Sequence, residues 1–237
     1  YHIVGSKVGL GAVLASDNQA IPTLGGGTFT IDVRSKRWVF VEFVDNDPNA
    51  RRTYTATTLS VDGRFTADWD VNFSATRASN KGNLLKTNGY SSGREWTGTQ
   101  YNNDGNLPGT NDAEYKFRTS YKTPWGTRLS ASYVFLSGLH YTRYARTSRF
   151  SNREYYYINI EPLGSSSYDC RRLLDLRVSH RFNLGGKKAF ELFADVFNVL
   201  NDDAVTSRGE RYDSFYSGMV FDQEPPRTFR LGAKFLF

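Results

Sequence analysis

The chain has 237 residues, a net charge of +6, 39% hydrophobic and 23% charged residues, and a mean hydropathy of −0.53. No run approaches the roughly 20 consecutive apolar residues that a spanning helix needs, and the basic residues are scattered singly, which gives nucleic-acid binding no support. A single cysteine, Cys170, excludes an internal disulfide, and low hydropathy does not exclude spanning strands, whose lipid-facing and lumen-facing residues average to a polar score. Aromatic residues make up 15% of the chain, with 15 Tyr and 17 Phe against one Met; Tyr and Phe favour strands and gather at membrane interfaces. The opening "YHIVGSKVGL" lacks the basic start and apolar core of a secretory leader. The expectation is therefore a mature form, or a chain without its N-terminal part.

In chain order, residues 1–50 are unassigned apart from a strand expected near 33–44, where Val39, Val41 and Phe43 lie opposite Glu42. From residue 51 on, period-2 alternation predicts strand after strand. Tyr54 to Phe65 sets Leu59, Val61, Gly63 and Phe65 against Ser60, Asp62 and Arg64, and the next run sets Trp69, Val71, Phe73 and Ala75 against Asp70, Asn72, Ser74 and Thr76. Residues 113–122 alternate Tyr115, Phe117, Thr119 and Tyr121 with Glu114, Lys116, Arg118, Ser120 and Lys122. Residues 127–135 set Leu129, Ala131, Tyr133 and Phe135 against Arg128, Ser130 and Ser132; residues 172–182 set Leu174, Leu176, Val178 and Phe182 against Asp175, Arg177, Ser179 and Arg181. Phe190, Leu192, Ala194 and Val196 oppose Glu191, Asp195 and two further Phe, and the tail sets Phe229, Leu231, Ala233, Phe235 and Phe237 against Thr228, Arg230, Gly232, Lys234 and Leu236. That makes about eight strands of spanning length and no convincing helix.

The connections alternate as well. Ala67–Asp68, Thr123 to Thr127 and Leu184 to Lys188 read as tight turns, carrying the Gly, Pro or Asp that tight turns need. The links between them, about 81–112, 140–170 and 201–226, are long and polar. A β-sandwich has no reason to sort loop lengths by end, whereas an outer-membrane barrel does, with short periplasmic turns and long extracellular loops. Charged residues on nearly every polar face suit a wet lumen. The aromatics Phe65, Trp69, Tyr121, Trp125, Phe182 and Phe237 near strand ends suit an interfacial girdle. A secreted β-sandwich that buries the apolar face under a second sheet is the rival architecture. The expected fold is an all-β, antiparallel transmembrane outer-membrane β-barrel with its C-terminus on the periplasmic side.

At this point the residues resemble a family. "FELFADVFNVLND" followed by "PPRTFRLGAKFLF" is similar to the C-terminus of TonB-dependent outer-membrane transporters, in the Oar-like branch whose barrel follows a carboxypeptidase-regulatory-like domain and a plug. The phrase residues are Asp195, Val196, Phe197, Asn198, Asn201, Pro226, Arg227 and Gly232. The resemblance implies that the strand closed by Phe229, Leu231, Ala233, Phe235 and Phe237 is the signal read by the barrel-assembly machinery. It also implies a barrel of about 22 strands, of which this chain would be the last part, and a plug, absent from these residues, through which TonB acts. A compact barrel of about eight strands, acting as an anchor or adhesin, is the alternative. Candidate lumen-facing residues are Lys116, Arg118, Arg128, Asp175, Arg177, Glu191, Asp195 and Arg230. Expected partners are outer-membrane lipid and lipopolysaccharide of a Gram-negative bacterium. The long loops, dense in Tyr, Asn and Arg, are candidates for recognising a glycan, a peptide or another surface protein.

Catalytic and metal motifs are not indicated. His2, His140 and His180 have no ligand spacing. "DNDPNA" starts like a calcium loop but has Ala50 where Gly is required and no closing Glu. Gly25 to Gly27 lack the Lys and Ser/Thr of a phosphate loop. No cofactor and no enzymatic activity are expected.

Overall fold

A computed structural model of the chain describes residues 51–83, 102–146, 157–186 and 188–237 in full, and near the start the backbone of four strands. These four are β1 (Ile3–Ser6), β2 (Ser16–Pro22), β3 (Thr28–Arg34) and β4 (Glu42–Asp45). They pair as β1 with β4 and β2 with β3. The strand expected near 33–44 falls mostly on residues outside the described ones; its ends coincide with the end of β3 and the start of β4.

Every described element is a strand. The long ones are β5 (Arg52–Thr66), β6 (Trp69–Gly82), β8 (Ala113–Lys122), β9 (Thr127–Leu136), β14 (Arg171–Gly185), β15 (Lys188–Phe197) and β18 (Thr228–Leu236). They form one antiparallel meander, β18-β15-β14-β9-β8-β6-β5, in which each strand pairs with its neighbour in this chain order; β7 (Gly105–Asn106) adds to the loop end of β6. Among the described residues β5 pairs only with β6, and β18 only with β15, so the sheet is open at both edges.

Tight turns join β5 to β6, β8 to β9 and β14 to β15, all at one end of the sheet. In the second, Thr123 closes a four-residue loop: its N–H donates to the Thr127 carbonyl at 2.7 Å, and its Oγ1 accepts from the Thr127 N–H at 3.0 Å. Gly126 sits at φ +90°, which a side chain would resist. At the third, Gly185 and Gly186 hold φ of +95° and +59°, backbone that glycine adopts without steric cost. β18 ends there too, since Leu236 pairs with Ala189, the second residue of β15.

Register converts alternation in single strands into two continuous faces, because a one-residue slip in any ladder would exchange them. No ladder slips. On one face Val61 meets Phe73, Phe73 meets Phe117 and Phe117 meets Tyr133. Leu129 meets Val178, Val178 meets Ala194 and Ala194 meets Leu231. This apolar face is uncovered: Phe229 is 71% exposed and Leu231 84%, and Leu59, Val61, Trp69, Phe117, Leu176, Val178 and Leu192 are also exposed. A water-soluble monomer rarely leaves so large a patch bare. Its border at the tight-turn end is aromatic, with Phe65 and Trp69 rings 5.0 Å apart and Trp125 exposed.

The dry core lies elsewhere. Of the buried apolar residues described, Leu107, Ala145, Ile158, Ile160, Leu163 and Ala204 all belong to the three long connections. These carry short strands that had no period to betray them: β10 (His140–Tyr141) with β13 (Ser166–Ser167), β11 (Tyr144–Arg146) with β12 (Tyr157–Asn159), and β16 (Val205–Arg208) with β17 (Val220–Gln223). The connections are also stitched to each other. The Asn106 N–H donates to the Leu163 carbonyl at 3.0 Å and Tyr212 N–H to the Tyr144 carbonyl at 2.8 Å. Asn102 and Asn159 exchange side-chain amides for each other's carbonyls at 3.2 and 3.3 Å. The loops therefore form one folded layer above the sheet.

Asp213 latches part of that layer. Its Oδ1 accepts from the Arg146 N–H at 3.1 Å and from Arg211 Nε at 2.9 Å. Burial alone would raise this carboxyl, but the hydrogen bonds and charge of Arg211, with the Arg146 N–H, outweigh it and hold it below the ordinary 3.8. With the folded value depressed, the latch contributes fully above about pH 3.8 and is lost as pH falls through the folded value. Carbon-13 titration of Asp213 is expected to give a midpoint below 3.8. Protection of the Arg146 amide, corrected for intrinsic exchange, is expected to fall over the same range and to lose that dependence in Asp213→Asn. A midpoint at or above the ordinary value would refute the latch.

Candidate functional site: a clasped carboxylate on the polar face

The second face of the meander is charged. Lys116, Arg118, Arg128, Asp175, Arg177, Glu191, Asp195 and Arg230 all fall on it, since register pairs them with one another or with its polar residues: Lys116 with Ser74, Arg118 with Asn72 and Ser132, Arg128 with Ser179, Asp175 with Ser132, Arg177 and Arg230 with Asp195, and Glu191 with Lys234. The structure thus gathers the eight sequence-selected charges on one side and sorts them into different surroundings.

The most ordered group centres on Asp195. Arg177, Asp195 and Arg230 are direct neighbours across β14, β15 and β18. Asp195 is only 4% exposed; Arg230 Nε donates to its Oδ2 at 2.7 Å, and Arg177 Nε lies 3.5 Å from its Oδ1. A carboxylate so shielded from water needs such partners, because burying a charge without them costs several kcal/mol. Both guanidiniums remain half open to solvent and pack over aromatic rings: Arg177 Cζ lies 4.3 Å from the Phe193 ring centre, and Arg230 Cζ 4.9 Å from that of Phe197. Cation–π contact of this kind holds the cations in place over the rings.

Phe193 and Phe197 break the alternation of β15, and their place on the charged side is legible only once Gly232 is set opposite Phe193. A Cβ on Gly232 would come within 2.2 Å of the Phe193 ring. The glycine thus makes the space in which the ring lies flat. Gly232→Ala is expected to destabilise the wild-type chain by about 1–3 kcal/mol through overpacking. In a Phe193→Ala background the same change is expected to be neutral or stabilising, as it usually is for glycine in a strand. Denaturant unfolding of the four proteins in lipid vesicles gives the coupling; additivity would show that the ring does not rest on Gly232.

The remaining phrase residues build the corner above this group. Asn198 and Asn201 both adopt left-handed backbone, φ +50° and +52°, which asparagine tolerates better than most residues. Asn198 N–H donates to Asp175 Oδ1 at 2.9 Å, and its side-chain amide donates to the carbonyls of Asp202 at 2.9 Å and Pro225 at 2.8 Å. Asn201 Oδ1 accepts from the Arg227 N–H at 3.0 Å, and the Pro226 carbonyl accepts from Thr228 Oγ1 at 3.1 Å. Val196 alone of the phrase faces the apolar side, between Leu176 and Phe229. Phe229, Leu231, Ala233 and Phe235 lie on the apolar side of β18, and Phe237 follows them with its ring 6.1 Å from that of Phe235.

Comparison with solved structures gives the architecture a reference. The crystal structure of the outer membrane transporter YddB from Escherichia coli is similar to this chain with a TM-score of 0.52 at 15% sequence identity; the similarity covers 93% of this chain and 28% of that one. The fold is that of part of an outer-membrane β-barrel. The chain spans well under a third of YddB's length. No protein-family model matches the chain, and no curated protein does.

Proposed function

We infer that the chain is the C-terminal barrel portion of a TonB-dependent outer-membrane transporter, taking up a scarce solute across the outer membrane of a Gram-negative bacterium. The observation that carries this reading is the pair of in-register faces: an uncovered apolar face over seven strands, backed by a charged one, with tight turns at one end and a folded loop layer at the other. Lipid is the solvent that makes the first face favourable, and a wet lumen suits the second.

Transport in preference to anchoring is supported by three things. YddB is an outer membrane transporter of the same fold. The resemblance of Asp195–Asn201 and Pro226–Gly232 to TonB-dependent transporters is matched by their convergence on one corner and one clasp. Finally, among the described residues the seven-strand meander is paired at neither edge, and lipid satisfies no backbone group, which favours its being part of a larger closed barrel. On this reading the loop layer is extracellular, β18 ends at the periplasmic side, the assembly machinery reads its apolar alternation, and TonB acts through a plug borne by the same polypeptide.

The native protein, extracted in mild detergent, is expected to have an intact mass several-fold above the 26.9 kDa of this chain, and its uptake of solute is expected to require the inner-membrane energy supply. A heat-modifiable band near 26.9 kDa without energy-dependent uptake would replace transport by a compact anchor or adhesin.

A further inference from the structure

The charges of the polar face are not evenly matched. By register Arg64 faces Asp70, and Arg181 and Lys234 both face Glu191. Lys116 bridges Glu114, and Arg177 and Arg230 close on Asp195. Arg118, Lys122 and Arg128 are different. Lys122 and Arg128 are directly opposite each other on β8 and β9, and Arg118 lies between Asn72 and Ser132. No acid lies directly across from Arg118 or Arg128; Asp68 lies beside Lys122, its carbonyl accepting from the Lys122 N–H at 2.8 Å, yet among the described residues none of the three cations forms an ion pair. Like charges placed directly opposite are destabilising in a sheet.

What lies between them is small and hydroxylic. Ser120 and Ser130 are direct cross-strand partners, with Arg118 and Lys122 flanking Ser120 along β8 and Arg128 flanking Ser130 along β9. Arg177 stands directly across from Ser130, and Asp70 across from Ser120. Arg128 already leans over this floor, its Nη1 donating to Ser120 Oγ at 3.3 Å. All three cations are exposed. A floor of hydroxyls rimmed by guanidinium and ammonium groups supplies the charge-assisted donors that phosphate, sulfate and carboxylate groups take.

We propose that Arg118, Lys122 and Arg128, with Ser120 and Ser130, form a binding site for one oxyanionic group of a solute in the lumen. This rests on the reading of the polar face as lumenal. The site accounts for the unmatched cations: the destabilisation of opposing Lys122 and Arg128 is relieved when the anion seats between them.

The test uses the native full-length protein in detergent micelles at fixed ionic strength, with inorganic phosphate titrated by calorimetry. Arg118→Gln/Lys122→Gln/Arg128→Gln is expected to weaken phosphate binding at least about tenfold, since each charge-assisted bond lost is worth that much or more. Lys234→Gln, which removes a cation with an acid across from it on the edge strand β18, is expected to bind as wild type. Heat-modifiable migration confirms that each variant has assembled, and the single Arg118→Gln variant carries the comparison if the triple does not. No phosphate binding to wild type, or equal affinity in the triple variant, would overturn the site. In parallel, Arg118→Cys combined with Cys170→Ser is treated with a charged maleimide. Reaction there without phosphate binding would leave the lumen reading standing and remove only the site, whereas an unreactive position 118 would remove both.

Discussion

Arginine in place of Val61 is expected to cost about 2–4 kcal/mol of folding free energy in phospholipid vesicles, the range for a cation on the lipid face near mid-membrane. Arginine in place of Ser60, one residue away, is expected to change it little. The two positions share strand β5, length of side chain and charge, and differ only in face. Val61 is exposed beside Leu59 and opposite Phe73, while Ser60 lies opposite Ser74 among polar neighbours. Propensity, local sequence and distance from the turn therefore cancel in the comparison. Equal cost at the two sites would mean that lipid does not lie against Val61, and small cost at both would mean that the sheet is wetted on each side.

Asp195→Ala is expected to destabilise the chain by about 1.5–3 kcal/mol, the scale of hydrogen bonds to charged groups. The larger figure for a broken buried ion pair does not apply, because Arg177 and Arg230 keep roughly half their surface in water and rehydrate. Combining Asp195→Ala with Arg230→Met is expected to recover part of the loss, since removing both partners costs less than stranding one. Unfolding midpoints of wild type, both single variants and the pair in vesicles give the coupling energy. An Asp195→Ala protein as stable as wild type would show that the clasp contributes nothing and that Asp195 is held for another reason.

The strands were legible because the sheet is half in one solvent and half in another. Leu59, Val61 and Phe65 against Ser60, Asp62 and Arg64 state the two solvents directly, and the same holds in six further strands. Tight turns were legible from Gly126, Gly185 and Gly186, which the backbone needs at positive φ. The loop layer was not. Its strands are two to four residues long, too short for a period, and its cohesion comes from pairings between distant segments such as Asn102 with Asn159. The clasp was legible in its charges, Arg177, Asp195 and Arg230, but not in Phe193. An apolar residue on a charged face reads as an irregularity until the glycine across from it is known. The cation site shows the same limit: Arg118, Lys122 and Arg128 look ordinary in sequence, and only register puts two of them face to face.

The central claim is that one face of the meander meets lipid and the other meets water. Spin labels placed singly at residues 59 to 62 and 229 to 231, with Cys170→Ser, in the native protein reconstituted into vesicles test it most directly. Accessibility to oxygen is expected to peak at 59, 61, 229 and 231, and accessibility to a water-soluble nickel complex at 60, 62 and 230, out of phase throughout. Labels at 61 and 231 that are immobilised and closed to oxygen would place a second protein layer over the apolar face and contradict the barrel account.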